Sequence, residues 1–186
     1  GVQLVISDAH QGLVTSIEAV LLGASWQRCR VHFMRNVLAK IPKTSGEMVA
    51  AAIRTIFAQP DAAHVEAQFD EITTMLVRQF PVVADMLHDA RADLLAFTGF
   101  PPAHWKKIWS TNPLERLNKE IKRRTNVVGI FPNEAALTRL VTAVIAETHD
   151  EWQVCDRRYL SENSMNKLYE QPAEQPTATL TPAIAS

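Results

Sequence analysis

Asp8 and Glu115 are the residues with which this sequence can do chemistry. Asp8 follows the aliphatic run of residues 2–6 and Ser7, so it falls at the carboxyl end of a predicted strand, where α/β sheets hold their ligands. Taken alone, it reads equally well as a turn aspartate capping the next helix. Glu115 stands in the string Asn112, Pro113, Leu114, Glu115. An Asn at the cap, a Pro opening the helix and a Glu three residues after the cap make a capping box, in which the glutamate only satisfies a backbone N–H. Leu114, Leu117 and Ile121 are predicted as the buried stripe of that helix, and Glu115 projects beside them. If it faces Asp8, two carboxylates from distant parts of the chain supply hard oxygen ligands for a divalent cation, leaving positions open for water and phosphate oxygens.

A cationic helix surrounds Glu115. Arg116, Lys119, Lys122 and Arg123 share one side of it and Arg124 follows, a spacing that fits either a solvated face or a surface tracking a phosphate backbone. The neighbouring Trp105 and Trp109 favour the second reading, because rings beside cations can stack on bases. Cys29 and His32 form a Cys-x-x-His pair. Two zinc ligands are not a structural site, and the only other donors in view, His149 and Cys155, are far along the chain. His10 is expected near Asp8 at the crevice; His64, His88 and His104 read as helix-surface or packing residues. Asp85, Asp89 and Asp93 recur every four residues, which reads as a solvated acidic stripe rather than a metal face.

These side chains need elements to hold them. Residues 2–6 read as a strand buried on both faces, Leu13, Ile17, Val20 and Leu21 as a helix ended by Gly23, and residues 25–30 as a second strand with Cys29 inside it. This β-α-β order implies parallel strands and an α/β class. A helix over residues 31–40 completes a first segment, 1–40. Residues 41–103 read as a helical module: an alanine-rich helix over 47–58, a second starting after Asp61 as N-cap, and a third from Pro81 through Phe97. Residues 104–152 hold the cationic helix and a further amphipathic helix after Asn133, extending to about His149. A short helix is expected within 153–170, and the proline-containing tail 171–186 is expected to be disordered.

With 186 residues, 47% hydrophobic and 21% charged, the composition is that of a globular protein. No apolar run approaches the roughly 18 residues of a spanning helix. Two cysteines and the absence of a leader-like start give no sign of export, so the expected address is cytoplasmic. The net charge of −1 hides a polarity: seven cations against two acids between Lys106 and Arg124 leave the remainder acidic. The chain opens with Gly1 in a strand-like run, as a piece of a longer protein would.

Three strings together resemble the bacterial Mutator-type insertion-sequence transposases: Ser7-Asp8-Ala9-His10-Gln11-Gly12-Leu13, Cys29-Arg30-Val31-His32-Phe33-Met34-Arg35-Asn36, and the stretch from Ser110 to Arg124 with its continuation Val128-Gly129-Ile130-Phe131-Pro132. The resemblance runs over residues 1–152. It implies a partial ribonuclease-H-like fold with two strands retained and a helical insertion, predominantly helical overall. It further implies an Asp-Asp-Glu triad binding two Mg2+ or Mn2+ ions, with Asp8 as the second aspartate and Glu115 as the glutamate. Cys29 and His32 match the family's Cys-x-x-His signature, while Asn112, Arg116 and Asn118 belong to the motif around the glutamate. The first aspartate would lie upstream, so the triad is incomplete and this chain alone is expected not to transpose. DNA is the implied partner, with Trp109, Lys119, Lys122, Arg123 and Arg124 among its contacts, and the full-length protein is expected to self-associate. A non-catalytic nucleic-acid-binding helical module, with Glu115 as a simple cap, is the alternative.

Overall fold

A computed structural model describes residues 1–154 and 160–169. It begins with strand β1 (Leu4–Ser7), helix α1 (Gln11–Val20), strand β2 (Ser25–Arg28) and helix α2 (Arg30–Leu38). The strands pair in parallel, Leu4 opposite Ser25 and Ser7 opposite Arg28, as the helical crossover requires. Gly23 turns the chain between α1 and β2 at φ 85°, a conformation that costs a side-chain-bearing residue. Two expectations fail here. Residues Leu4 to Ile6 are only half-buried and Val2 is 54% exposed, so β1 is not covered on both faces. Cys29 is not in a strand: β2 ends at Arg28, and Cys29 is the cap residue from which α2 starts.

The helical module follows as α3 (Lys43–Ile56), α4 (Ala62–Val77), α5 (Pro81–Asp89) and α6 (Arg91–Leu95), closed by a 3-10 turn (Ala96–Gly99). Asp61 caps α4 by accepting the His64 N–H at 2.9 Å, and Pro81 opens α5 where its missing donor costs nothing. The single helix expected from Pro81 to Phe97 is broken at Ala90. The segment beyond the break is held by tertiary bonds. The buried Gln27 side chain of β2 donates to the Leu94 carbonyl at 2.9 Å and accepts the Phe97 N–H at 2.7 Å, drawing this segment onto the sheet. With the break, Asp93 leaves the expected acidic stripe: it is half-buried on α6, where burial raises its pKa against the opposing pull of Arg28.

Helix α7 (Pro102–Ile108) leads to α8 (Asn112–Val128), α9 (Glu134–Val154) and α10 (Glu162–Asn166). One core cluster joins α2 through α7, with Phe33, Phe69, Leu87, Leu94 and Phe97 almost wholly enclosed. Phe97 meets Trp105 and Trp109 edge-on, at 5.1 and 5.7 Å between centroids, an arrangement favoured by the ring quadrupoles. Helices α8 and α9 pack on each other outside that core. The stripe expected on α8 is correspondingly thin: Leu117 and Ile121 are half-buried and Leu114 is 58% exposed. Asn133 starts α9 by accepting the Ala136 N–H. The architecture is thus mostly helical around a two-stranded parallel sheet. The expected tail 171–186 lies outside the described residues, as does Cys155.

Candidate functional site

Both strands deliver their last residues to the same end of the sheet. The Cys29 N–H donates to the Ser7 carbonyl at 2.7 Å, so Asp8, the first residue beyond β1, emerges beside the start of α2. Asp8 is exposed. It does not cap α1, which begins after the exposed His10 and has no side-chain cap. Cys29 is fully enclosed, and its sulfur faces Thr111, whose N–H donates to Sγ at 3.4 Å. The Thr111 hydroxyl lies 3.4 Å from both that sulfur and Glu115 Oε1. Because the N–H already serves the sulfur, the single hydroxyl proton is available to the carboxylate. Glu115 Oε1 also stands 3.3 Å from His32 Nε2, and Oε2 stands 4.0 Å from an Arg35 guanidinium nitrogen.

The capping-box expectation for Glu115 is therefore overturned. Thr111, not Asn112, occupies the cap position, and no side-chain cap bond forms at the start of α8. Glu115 turns instead toward α2. His32 Nδ1 is buried without a partner, and Nε2 is the ring nitrogen that faces Glu115. His32 meets Glu115 directly and Cys29 meets it through Thr111, so two motifs far apart in sequence come together in one cluster. Thr111 and Arg35 were missed, although both lie inside the motif strings. Among the described residues no group of three or more His, Cys, Asp or Glu side chains is arranged to hold a metal ion; Cys155, named with His149 as a further donor beside Cys29 and His32, lies outside those residues.

The cations divide into two sets. Arg116, Asn118, Lys119 and Lys122 are exposed, and among the described residues none of these three cations is ion-paired. Arg123 and Arg124 are engaged: both bond Glu120, at 2.7 and 2.8 Å, and Arg124 reaches Glu147 of α9 at 2.7 Å. The Arg123 and then the Arg124 hydrogen bonds hold the Glu120 carboxyl down to about 2. Trp109 requires a correction as a base-stacking residue. It is 6% exposed, its ring set edge-on to Phe57 and Phe97 with the Arg30 guanidinium 3.8 Å from its centroid, so no face is left for a base. Trp105 is likewise in the core. Asn112 is half-buried and borders a cavity with Arg116. No helix among the described residues is long and apolar enough to cross a membrane.

Known proteins are similar to this chain in sequence. The chain is 50% identical to the transposase for insertion sequence element IS1081 of Mycobacterium tuberculosis, over its whole length and 46% of that protein's. It is 40% identical to the transposase for element ISRM5 of Rhizobium meliloti, over 84% of this chain and 39% of that one. It is 36% identical to the transposase for IS256 in transposon Tn4001 of Staphylococcus aureus, over 87% of this chain and 42% of the relative. The chain thus spans less than half the length of these relatives. The profile of the family described as Transposase, Mutator family, matches residues 1–155, and the chain belongs to that family.

Proposed function

We propose that this chain contributes Asp8 and Glu115 to a metal-dependent DNA cleavage and strand-transfer site of the Asp-Asp-Glu, ribonuclease-H-like kind. The observation that carries the reading is the orientation of Glu115: it ignores its own helix terminus and lies against Thr111, His32 and Arg35, at the sheet end from which Asp8 emerges. The donor chemistry fits a hard divalent cation, since Asp8 offers an exposed carboxylate and Glu115 a partly exposed one, 38% accessible. Mg2+ or Mn2+ held by these two oxygens would activate a water or 3′-hydroxyl nucleophile and stabilise the leaving oxygen.

The chain's own residues position that chemistry. Thr111 and His32 hold the Glu115 carboxylate at Oε1, which leaves Oε2 the freer ligand atom. Arg35 stands next to Oε2, where its guanidinium can bind a phosphate oxygen. Lys119 and Lys122, exposed on α8, offer the sequence-independent contacts that hold a DNA backbone. A chimera in which these 186 residues replace the matching span of the IS1081 transposase tests the reading. Asp8→Asn and Glu115→Gln should each abolish joining of a labelled element end to target DNA while end binding persists. Retention of joining by both variants would refute it.

A further inference from the structure

Two cavities meet at Arg30. The first, about 770 Å3, opens between α2, the end of α3 and α7; Arg30, Arg35, Arg54 and Lys106 border it above an apolar floor, and no acidic residue lines it. The second, about 830 Å3, includes Arg116 and Trp152 in its wall. Arg30, Lys106 and Trp109 border both, so the two are neighbours across these side chains. Both volumes lie in the range of ligand sites, roughly 300–1,000 Å3.

Arg30 is built into this groove. Its N–H donates to the Trp109 carbonyl at 3.0 Å, and its guanidinium lies over the Trp109 and Phe57 rings at 3.8 and 5.3 Å. Burial lowers its pKa, and the Arg54 charge acts in the same direction. Among the described residues, Arg30, Arg54 and Lys106 are in no ion pair. The second cavity also includes Glu120 in its wall, but that carboxylate is already bonded to Arg123 and Arg124; a half-buried guanidinium facing further cations and paired with no carboxylate is a site that gains when an anion arrives. Arg35 links the groove to Glu115 at 4.0 Å. The cations therefore form a track ending at the proposed site, which fits a chain of phosphates better than a single one. The floor is apolar and recessed between helices, unlike the convex surface that follows a duplex. Trp152 in the second cavity is 59% exposed, so unlike Trp109 it has a ring face free for a base.

We propose that the two cavities form one groove for an unpaired DNA strand, its phosphates on Arg54, Lys106 and Arg30, one base stacked on Trp152, and its path leading to Glu115. This rests on the DNA-processing reading of that site and names the form of DNA it takes.

The test is anisotropy of the 186-residue chain with fluorescein-labelled oligothymidylate and with a duplex of equal length, in EDTA. The single strand should bind more tightly. Arg54→Ala with Lys106→Ala should weaken it at least about tenfold at low salt and flatten the salt slope by about 1.4, two contacts at roughly 0.7 each. Trp152→Ala should cost about 5- to 100-fold, as loss of one stacked base does. Lys43→Ala with Arg78→Ala, a like change of charge at residues lining neither cavity, should have no effect. Photocrosslinking of iodouracil-bearing strand to the unaltered chain, mapped by mass spectrometry, should label Trp152 and removes any dependence on variant folding. Equal or tighter duplex binding, crosslinks confined to the outer face of α8, or equal competition by polyglutamate would overturn the proposal. Because EDTA makes the binding independent of metal chemistry, unaffected groove variants alongside inactive Asp8→Asn and Glu115→Gln chimeras would sink the groove alone.

Discussion

Replacing Gln27 with Leu should loosen the attachment of the helical module to the sheet. Gln27 is fully buried on β2 and its amide makes three bonds: to the Leu94 and Arg28 carbonyls at 2.9 Å and from the Phe97 N–H at 2.7 Å. Leu matches its size and makes none of them. Leu94 and Phe97 are themselves enclosed, so water cannot replace the lost partners. Two orphaned backbone groups at about 1–3 kcal/mol each predict a loss of about 2–6 kcal/mol. The extra apolar surface of Leu returns about 1 kcal/mol, leaving about 1–5 kcal/mol. For a chain of this size that corresponds to a fall in melting temperature of roughly 2–20 °C. Urea unfolding followed by far-UV circular dichroism gives the free energy, and an unchanged m-value would show that the folded state keeps its compactness. A midpoint equal to that of the unaltered chain would refute the reasoning, since it would mean that the Gln27 bonds are matched by equally good ones when the side chain is gone.

Further outcomes follow from the same contacts. His104 is 2% exposed, and burial, reinforced by the Lys107 charge, holds its pKa below 6.5. The folded state therefore prefers the neutral ring, and stability should be complete above pH 6.5 and decline as the pH falls below it toward the lowered folded value; His104→Phe should flatten that decline in urea midpoints. The depressed Glu120 carboxyl acts in a lower window: its contribution is complete above the ordinary value of 4.5 and is lost as the pH falls toward about 2. Glu120→Gln should release Arg123, while Glu147 still holds Arg124, raising duplex affinity and steepening its salt dependence by about one contact. Thr111→Val should leave Glu115 with His32 and Arg35 alone; joining by the chimera should fall, and Thr111→Ser should restore it. Cys29 should resist a thiol reagent in a Cys155→Ser background until the chain unfolds, because its sulfur is enclosed and engaged by Thr111.

Local chemistry made much of the fold readable. The Asp61 cap, Pro81 as the first residue of α5 and the Gly23 turn depend on residues within a few positions of one another, the parallel β-α-β unit on one short contiguous stretch, and each forms as the sequence implies. What the sequence hid was long-range. The segment after the break at Ala90 is bonded to Gln27, about seventy residues away, and nothing within residues 81–97 announces the break. Trp109 looks like a surface ring because it precedes a cationic helix, but Phe57 and Phe97 enclose it. Arg30 and Arg54 drew no attention among scattered charges, since only folding brings them to one groove with Lys106.

The error at Glu115 has a more specific cause, and it bears on function. A capping box needs the glutamate at the third helical position and a free N–H on the cap residue. Because α8 starts one residue earlier than Asn112 and Pro113 suggest, with Thr111 as the cap, Glu115 falls at the fourth position. The Thr111 N–H is also taken by the Cys29 sulfur, 82 residues away. The two conditions for capping thus fail separately, one through the position of the helix start and one through the Cys29 sulfur. Glu115, one position too far along the helix for a capping box, faces His32 instead of its own backbone. Cys29 meets Glu115 only through Thr111, whose hydroxyl lies 3.4 Å from both.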